Sequence, residues 1–122
     1  MKFKLKRFKC QNKLLAISHQ KYKEIIMLYH VKMDVLIPTD MEADKVNELK
    51  ATEKALSQKL QEQGKWRHIW RIAGQYSNFS IFDVESNEEL HSIMMSLPLY
   101  PYMDVEVTPL LRHPSSVRSD DS

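Results

Sequence analysis

The residue of this chain best suited to chemistry is Glu53, a carboxylate in the apolar stripe of a predicted helix. Residues 41–64 have the periodicity of one long amphipathic helix. Its apolar stripe consists of Val46, Leu49, Leu56 and Leu60. At about 100° per residue, Glu53 lies roughly 20–60° from each of these side chains. Burial raises the pKa of a carboxyl group, and an acid tuned toward neutral pH suits proton transfer.

Glu53 and its two cationic neighbours each have two possible roles at their positions. Glu53 is either a catalytic acid or base, or a glutamate that reaches solvent or pairs with a structural lysine. Lys50 lies one turn earlier, about 60° to the side, where it contacts Glu53 or a shared ligand, or serves as an ordinary lysine at the helix edge. Arg71 interrupts an apolar strand, where an arginine either faces solvent or binds an anion with both guanidinium nitrogens.

Further polar side chains lie on or near predicted strands. They are His30, His68, Tyr76, Asn78 and Ser80, and each taken alone is more often structural. Trp66 and Trp70 are expected to serve in packing. Residues 112–116, which include Ser115, are too basic for a simple tail, and we expect a surface arm that docks on a neighbouring subunit.

Several kinds of chemistry lack their usual motifs in this chain. Only two glycines are present, so no glycine-rich phosphate loop is available. The five histidines do not have metal-ligand spacing, and a Gly-x-Ser-x-Gly elbow is absent. We therefore expect no metal and no nucleotide chemistry. The lone Cys10 excludes an internal disulfide and fits a reducing cytoplasm, and no apolar run reaches the roughly 20 residues of a membrane span.

The order of elements that must position these residues is strand, helix, strand, strand, helix, strand. We predict strands at 28–36, 69–76, 78–84 and 103–108, with a turn around 74–78. The long helix should begin with a capping box at 39–42 and stop at Gly64, and a second capping box at 86–89 should open a short helix that ends before Pro98. This is the α+β, ferredoxin-like βαββαβ arrangement, a four-stranded antiparallel sheet with two helices on one face. Because the other face is left uncovered, we expect an oligomer.

Charge divides the chain into two parts. Residues 1–26 contain eight basic residues and one acidic residue, a net charge of +7, which leaves −5 for residues 27–122. Such an arm can bind nucleic acid, but the acidic domain argues against this role. We expect the native start at Met27 and regard residues 1–26 as a mis-assigned or disordered extension, which the intact mass of the native protein would test.

Five segments resemble the muconolactone Δ-isomerase family. They are MLYHVKM at 27–33, GKWRHIWR at 64–71, YSNFSIFDVES at 76–86, LPLYPYM at 97–103 and RHPSS at 112–116. The resemblance covers residues 27–122. It implies a ferredoxin-like, cytoplasmic homodecamer that converts muconolactone to 3-oxoadipate enol-lactone in the β-ketoadipate pathway of catechol degradation. This 1,3-proton shift uses no cofactor.

Within this reaction, the residues take definite expected roles. Glu53 is expected to shuttle the proton, Lys50 to contact the oxyanion or a carboxylate, and Arg71 to bind the substrate carboxylate. The expected pocket walls are His30, Tyr76 and Asn78, and Ser115 is expected to complete the site of another subunit. The alternatives are a chloromuconolactone dehalogenase on the same scaffold and a non-catalytic module that binds small ligands. The expected partners are a small lactone and copies of the same chain, with no nucleic acid and no membrane.

Overall fold

The computed structural model describes residues 27–119. Its elements are β1 (Met27–Val35), α1 (Ala43–Glu62), β2 (Trp66–Arg71), β3 (Ser77–Val84), α2 (Asn87–Ser96), a short 3₁₀ helix (Tyr100–Tyr102) and β4 (Met103–Leu110). The predictions for residues 1–26 lie outside this range. Within it, no helix has the length and apolarity needed to cross a bilayer.

The four strands form one antiparallel sheet in the order β2-β3-β1-β4. Alternate residues of β1 point to opposite faces, and Tyr29, Val31 and Met33 are buried on one of them. Side chains of both helices, including Leu60 and Ile93, join these residues in one core cluster. Both helices therefore cover the same face of the sheet, which confirms the predicted ferredoxin-like architecture.

The boundaries of α1 show one wrong prediction and one correct prediction. The capping box at 39–42 does not form. Residues 38–41 make a turn instead, in which the Met41 N–H donates to the Pro38 carbonyl at 3.2 Å. The N-cap of the helix is Glu42, with no hydrogen bond from its side chain. At the other end, Gly64 has a φ of +80° and follows the C-cap. The left-handed backbone there is easy for glycine, so the predicted stop is confirmed.

The predicted cap of α2 forms with a small change of partner. The Ser86 hydroxyl accepts a hydrogen bond from the Glu89 N–H at 3.0 Å. The Glu89 carboxylate accepts from the N–H of Glu85 at 2.8 Å, one residue before the position that a capping box predicts. These bonds satisfy free amide groups at the start of the helix and fix where it leaves β3.

The prediction for β2 is shifted in the sequence, because the strand is Trp66–Arg71 and residues 72–76 form the turn. Gly74 provides a positive φ of 83° in this turn. A register shift between Trp66 and His68 interrupts the alternation of side chains. As a result, three residues of β2 pair with β3 residues on the helix-covered face of the sheet: Trp66, Ile69 and Arg71. In a regular strand, Trp66 and Ile69 would point to opposite faces because they are three residues apart.

The uncovered face of the sheet has a distinctly aromatic part. Trp70 is 69% exposed and Phe79 is 40% exposed, and these two residues are paired across β2 and β3. The His30 ring lies against Phe79, with 4.9 Å between ring centroids. An exposed aromatic patch of this kind is typical of a contact surface.

Candidate active site

A cavity of about 330 Å³ opens between α1 and the part of the sheet formed by β2 and the start of β3. Its apolar lining consists of Val35, Trp66, Ile69, Leu99 and Met103. Its polar lining consists of Glu53, Ser57, Arg71, Tyr76, Ser77 and Asn78. A concave pocket that combines apolar walls with converging polar groups suits a small organic ligand.

Glu53 of α1 is half-buried in the wall of this cavity. Its Oε1 atom accepts a hydrogen bond from the backbone N–H of Leu99 at 3.0 Å. Burial raises the pKa of the Glu53 carboxyl, and the Leu99 N–H opposes this shift in part because it stabilises the ionised form. One oxygen is thus held by the backbone, and the group has the pKa direction that a proton shuttle requires.

Tyr76 brings the two predicted cationic residues together. Lys50 Nζ lies 5.0 Å from the centroid of the Tyr76 ring, and Arg71 Cζ lies 5.1 Å from it. Both distances are within the range of cation–π attraction. Arg71 and Tyr76 line the cavity, whereas Lys50 is not among the lining residues. The Arg71 guanidinium also donates to the Gln75 carbonyl at 3.4 Å.

These contacts place positive charge at the exposed edge of the cavity. Arg71 and Tyr76 are both exposed, and both lie at the end of the β2–β3 hairpin. An anionic group of a ligand can therefore meet the guanidinium while remaining near water. The apolar part of the ligand would then lie deeper, toward Glu53.

Asn78 contributes from the sheet, on the side of the cavity opposite the helix. It is half-buried on β3 and is paired with Arg71 on one side and Met33 on the other. Ser80 donates its hydroxyl proton to Asn78 Oδ1 at 2.7 Å. The neighbouring Ser77 also lines the cavity, and its hydroxyl is hydrogen-bonded to the Asp34 carboxylate.

Besides Lys50, two residues expected at the site are not part of this cavity. His30 lies on the uncovered face of the sheet against Phe79, because even-numbered residues of β1 point away from the helices. It is therefore not a wall of this chain's cavity, in contrast to the expectation from the sequence. Ser115 is exposed beyond β4, and its N–H donates to His113 Nδ1 at 3.0 Å. Its role in the site of another subunit stays a prediction.

Sequence reasoning missed several residues that line the cavity. Ser57 follows Glu53 by one helical turn, so its position on the same face of α1 was readable from the spacing. The segment after α2 had no such signal, because Leu99 acts through its backbone N–H. Trp66 was expected only to pack, yet it also lines the cavity. Across residues 27–119, no three side chains of His, Cys, Asp or Glu come together as a metal ion would require.

Comparisons with known proteins agree with this geometry and with the sequence resemblance. The family model described as "Muconolactone delta-isomerase" matches residues 27–116. The muconolactone Δ-isomerase of Acinetobacter baylyi is 69% identical over 96 residues, which cover 79% of this chain and 100% of that protein. The Pseudomonas putida enzyme of the same name is 59% identical over 95 residues, covering 78% of this chain and 99% of the relative. A crystal structure of muconolactone isomerase superposes with a TM-score of 0.75 at 60% identity, covering 79% of this chain and 100% of that one. The chain described here belongs to the muconolactone Δ-isomerase family.

Proposed function

We propose that this chain is an isomerase that converts muconolactone to 3-oxoadipate enol-lactone by moving a C=C bond. The observation that carries the proposal is Glu53, a half-buried carboxyl group of raised pKa in the wall of a largely apolar cavity. Relatives that match over 99–100% of their length carry the name of this activity. The proton shift belongs to the β-ketoadipate pathway of aromatic catabolism.

The reaction needs one group that both removes and returns a proton. The ionised Glu53 takes the proton from the γ carbon of the lactone ring. The electrons of that bond form the new C=C bond, and the electrons of the old C=C bond extend the conjugation to the carbonyl oxygen as a dienolate. Protonated Glu53 then gives the proton to the α carbon, and the carbonyl is restored. A carboxyl group of raised pKa is efficient in both steps because its acid and base forms are closer in free energy at working pH.

The cationic edge of the cavity, formed by Lys50, Arg71 and Tyr76, fits the acetate side chain of the substrate. Arg71 offers a planar guanidinium, which can bind a carboxylate through two parallel hydrogen bonds. Tyr76 holds this guanidinium and the Lys50 ammonium on its ring. We assign carboxylate binding to Arg71 with support from Lys50. This arrangement directs the ring of the lactone toward Glu53.

We further propose that the chain works in the cytoplasm as a homo-oligomer, with the decamer as the expected form. The exposed Trp70 and Phe79 support self-association, because burial of aromatic surface stabilises subunit contacts. Light scattering coupled to size exclusion chromatography would measure the mass directly. A monomer at micromolar concentration would contradict this assembly.

The activity is tested with purified protein and muconolactone in which the γ carbon carries deuterium. ¹H NMR should show formation of the enol-lactone, with part of the deuterium transferred to the α carbon, because one carboxyl group carries it between the two positions. Absence of turnover would contradict the proposal. Faster loss of chloride from a chlorinated muconolactone than isomerisation of muconolactone would favour the dehalogenase instead.

A further inference from the structure

A chain of hydrogen bonds connects the core to the floor of the cavity. The Trp66 indole N–H donates to Ser80 Oγ at 2.9 Å, and the Ser80 hydroxyl donates to Asn78 Oδ1 at 2.7 Å. Trp66 is 2% exposed and Ser80 is 1% exposed, so water does not compete for these bonds. The chain therefore belongs to the rigid part of the structure.

The donors and acceptors of the three groups agree with the direction of these two bonds. An indole N–H can only donate, so Ser80 must act as the acceptor toward Trp66. Ser80 has one proton, which it then donates to an acceptor atom of Asn78. That acceptor is the carbonyl oxygen of the amide, since the NH₂ group has no acceptor capacity. With Oδ1 held by Ser80, the NH₂ group of Asn78 is left to donate to a ligand in the cavity.

We propose that the Asn78 amide is the donor that meets the oxyanion of the dienolate, and that Ser80 and Trp66 are positioning residues that hold this amide in the required orientation. The inference rests on the proposed function and gives the oxyanion contact to a residue other than Lys50. Charge develops on the lactone carbonyl oxygen while Glu53 removes the proton. A donor fixed before the reaction stabilises that charge without the cost of reorganisation.

The positions of the cationic residues support carboxylate binding by Lys50 and Arg71 and oxyanion binding by Asn78. Lys50 and Arg71 gather on the Tyr76 ring at the exposed edge, where the substrate carboxylate is accommodated. Asn78 lies on β3, in the interior of the sheet order. Glu53 approaches from α1 on the other side of the cavity. The lactone ring is thus held between a base from the helix and a neutral donor from the sheet.

The first test compares Asn78→Asp and Asn78→Ala with the wild type in steady-state turnover of muconolactone. Both variants remove the NH₂ donor, and we expect kcat to fall about 10²- to 10³-fold, as for the loss of one oxyanion donor. KM should change far less, because the ground-state carbonyl is bound more weakly than the oxyanion. The acidic limb of the pH profile of Asn78→Ala should stay in place, since Glu53 is unaltered.

The second test addresses the positioning residues. Ser80→Ala frees the amide to rotate, and we expect kcat to fall about ten- to hundredfold because a misplaced group loses much of its effect. This variant also leaves the buried Trp66 N–H without an acceptor. The double variant Trp66→Phe with Ser80→Ala removes that orphaned donor, so it should recover thermal stability but not kcat. Ser96→Ala removes a hydroxyl that donates to the Ile93 carbonyl in α2 and is not part of the cavity lining, and this variant serves as the control.

The outcomes distinguish failure of the roles given to Asn78, Ser80 and Trp66 from failure of the proposed isomerase activity. Turnover by the wild type with unimpaired kcat in both Asn78 variants would overturn the assignment of Asn78. Recovery of kcat together with stability in the double variant would overturn the positioning roles of Ser80 and Trp66. If Ser80→Ala does not fold, the Asn78 and double variants still decide the question. No turnover by the wild type would overturn the proposed function and the inference that rests on it.

Discussion

Replacing Glu53 by glutamine separates the proposed catalytic role of the carboxyl group from its structural role. Glutamine has nearly the same shape, and its carbonyl oxygen can still accept the Leu99 N–H that Glu53 Oε1 accepts at 3.0 Å. The substitution removes the base and the charge. Glu53→Ala additionally removes the acceptor, and Glu48→Gln makes the same chemical change at an exposed position of α1.

The expected loss of activity follows from the loss of general base catalysis. This contribution is typically about 10²- to 10⁴-fold in rate, equivalent to roughly 2.7–5.5 kcal/mol of transition-state stabilisation. We expect kcat of Glu53→Gln to fall within or beyond that range. Wild-type activity should decrease as the pH falls through the pKa of Glu53, and burial places this limb above the ordinary glutamate value of 4.5.

Glu53→Gln should lower activity but should not lower the stability of the folded protein at high pH. Because the pKa of Glu53 is raised in the folded state, the folded protein binds its proton more tightly than the unfolded chain does. This contribution to stability is fully present below the ordinary pKa of 4.5 and is lost as the pH rises through the folded value. At pH 8, Glu53→Gln should therefore have a Tm equal to or above that of the wild type. Glu53→Ala should lose roughly 1–3 kcal/mol, since the Leu99 N–H is left unpaired.

Two measurements decide these expectations. Steady-state turnover of muconolactone gives kcat, and thermal unfolding at several pH values gives the stability. Glu48→Gln should match the wild type in both. A kcat for Glu53→Gln within tenfold of the wild type would remove Glu53 from the mechanism. A Tm at pH 8 as low as that of Glu53→Ala would refute the argument that burial disfavours the charge.

Three further predictions concern the cationic edge and the end of α1. Arg71→Lys keeps the charge but loses the planar fork, so KM for muconolactone should rise about tenfold with a smaller change in kcat, and an unchanged KM would contradict carboxylate binding by Arg71. Tyr76→Leu removes the ring that contacts two cations, and each contact is worth about 0.5–1 kcal/mol at exposed positions. KM should therefore rise about five- to thirtyfold, whereas Tyr76→Phe keeps the ring and should raise KM less. Equal KM values for both variants would exclude a role for the ring contacts. Gly64→Ala forces alanine into a left-handed conformation and should lower the unfolding free energy by about 1 kcal/mol without changing kcat, and an unaltered denaturation midpoint would show that the backbone adapts there at no cost.

The sequence was sufficient for the order of elements and for selecting Glu53 as the leading candidate for proton transfer. Periodicity two in β1 and the helical period of α1 reveal which side chains are buried, because each period reflects a local backbone geometry. The same period placed Glu53 in the apolar stripe. Sequence patterns predicted the boundaries of elements less well. The predicted capping box at 39–42 is replaced by a turn that begins at Pro38, and the N-cap of α1 is Glu42.

The tertiary structure decided which polar residues meet. The irregular register between Trp66 and His68 brings Trp66 to the same face of the sheet as Ile69 and Arg71, and no sequence periodicity reveals such an interruption. Likewise, Glu53 receives its hydrogen bond from Leu99, which is distant in sequence and contributes a backbone group common to nearly every residue. The sequence alone determined the fold class and proposed Glu53 as a proton carrier, because both depend on local periodicity. Only the packing of helix on sheet placed that carboxylate in a shared cavity with Arg71, Tyr76 and Asn78, because such proximity depends on contacts between segments far apart in the chain.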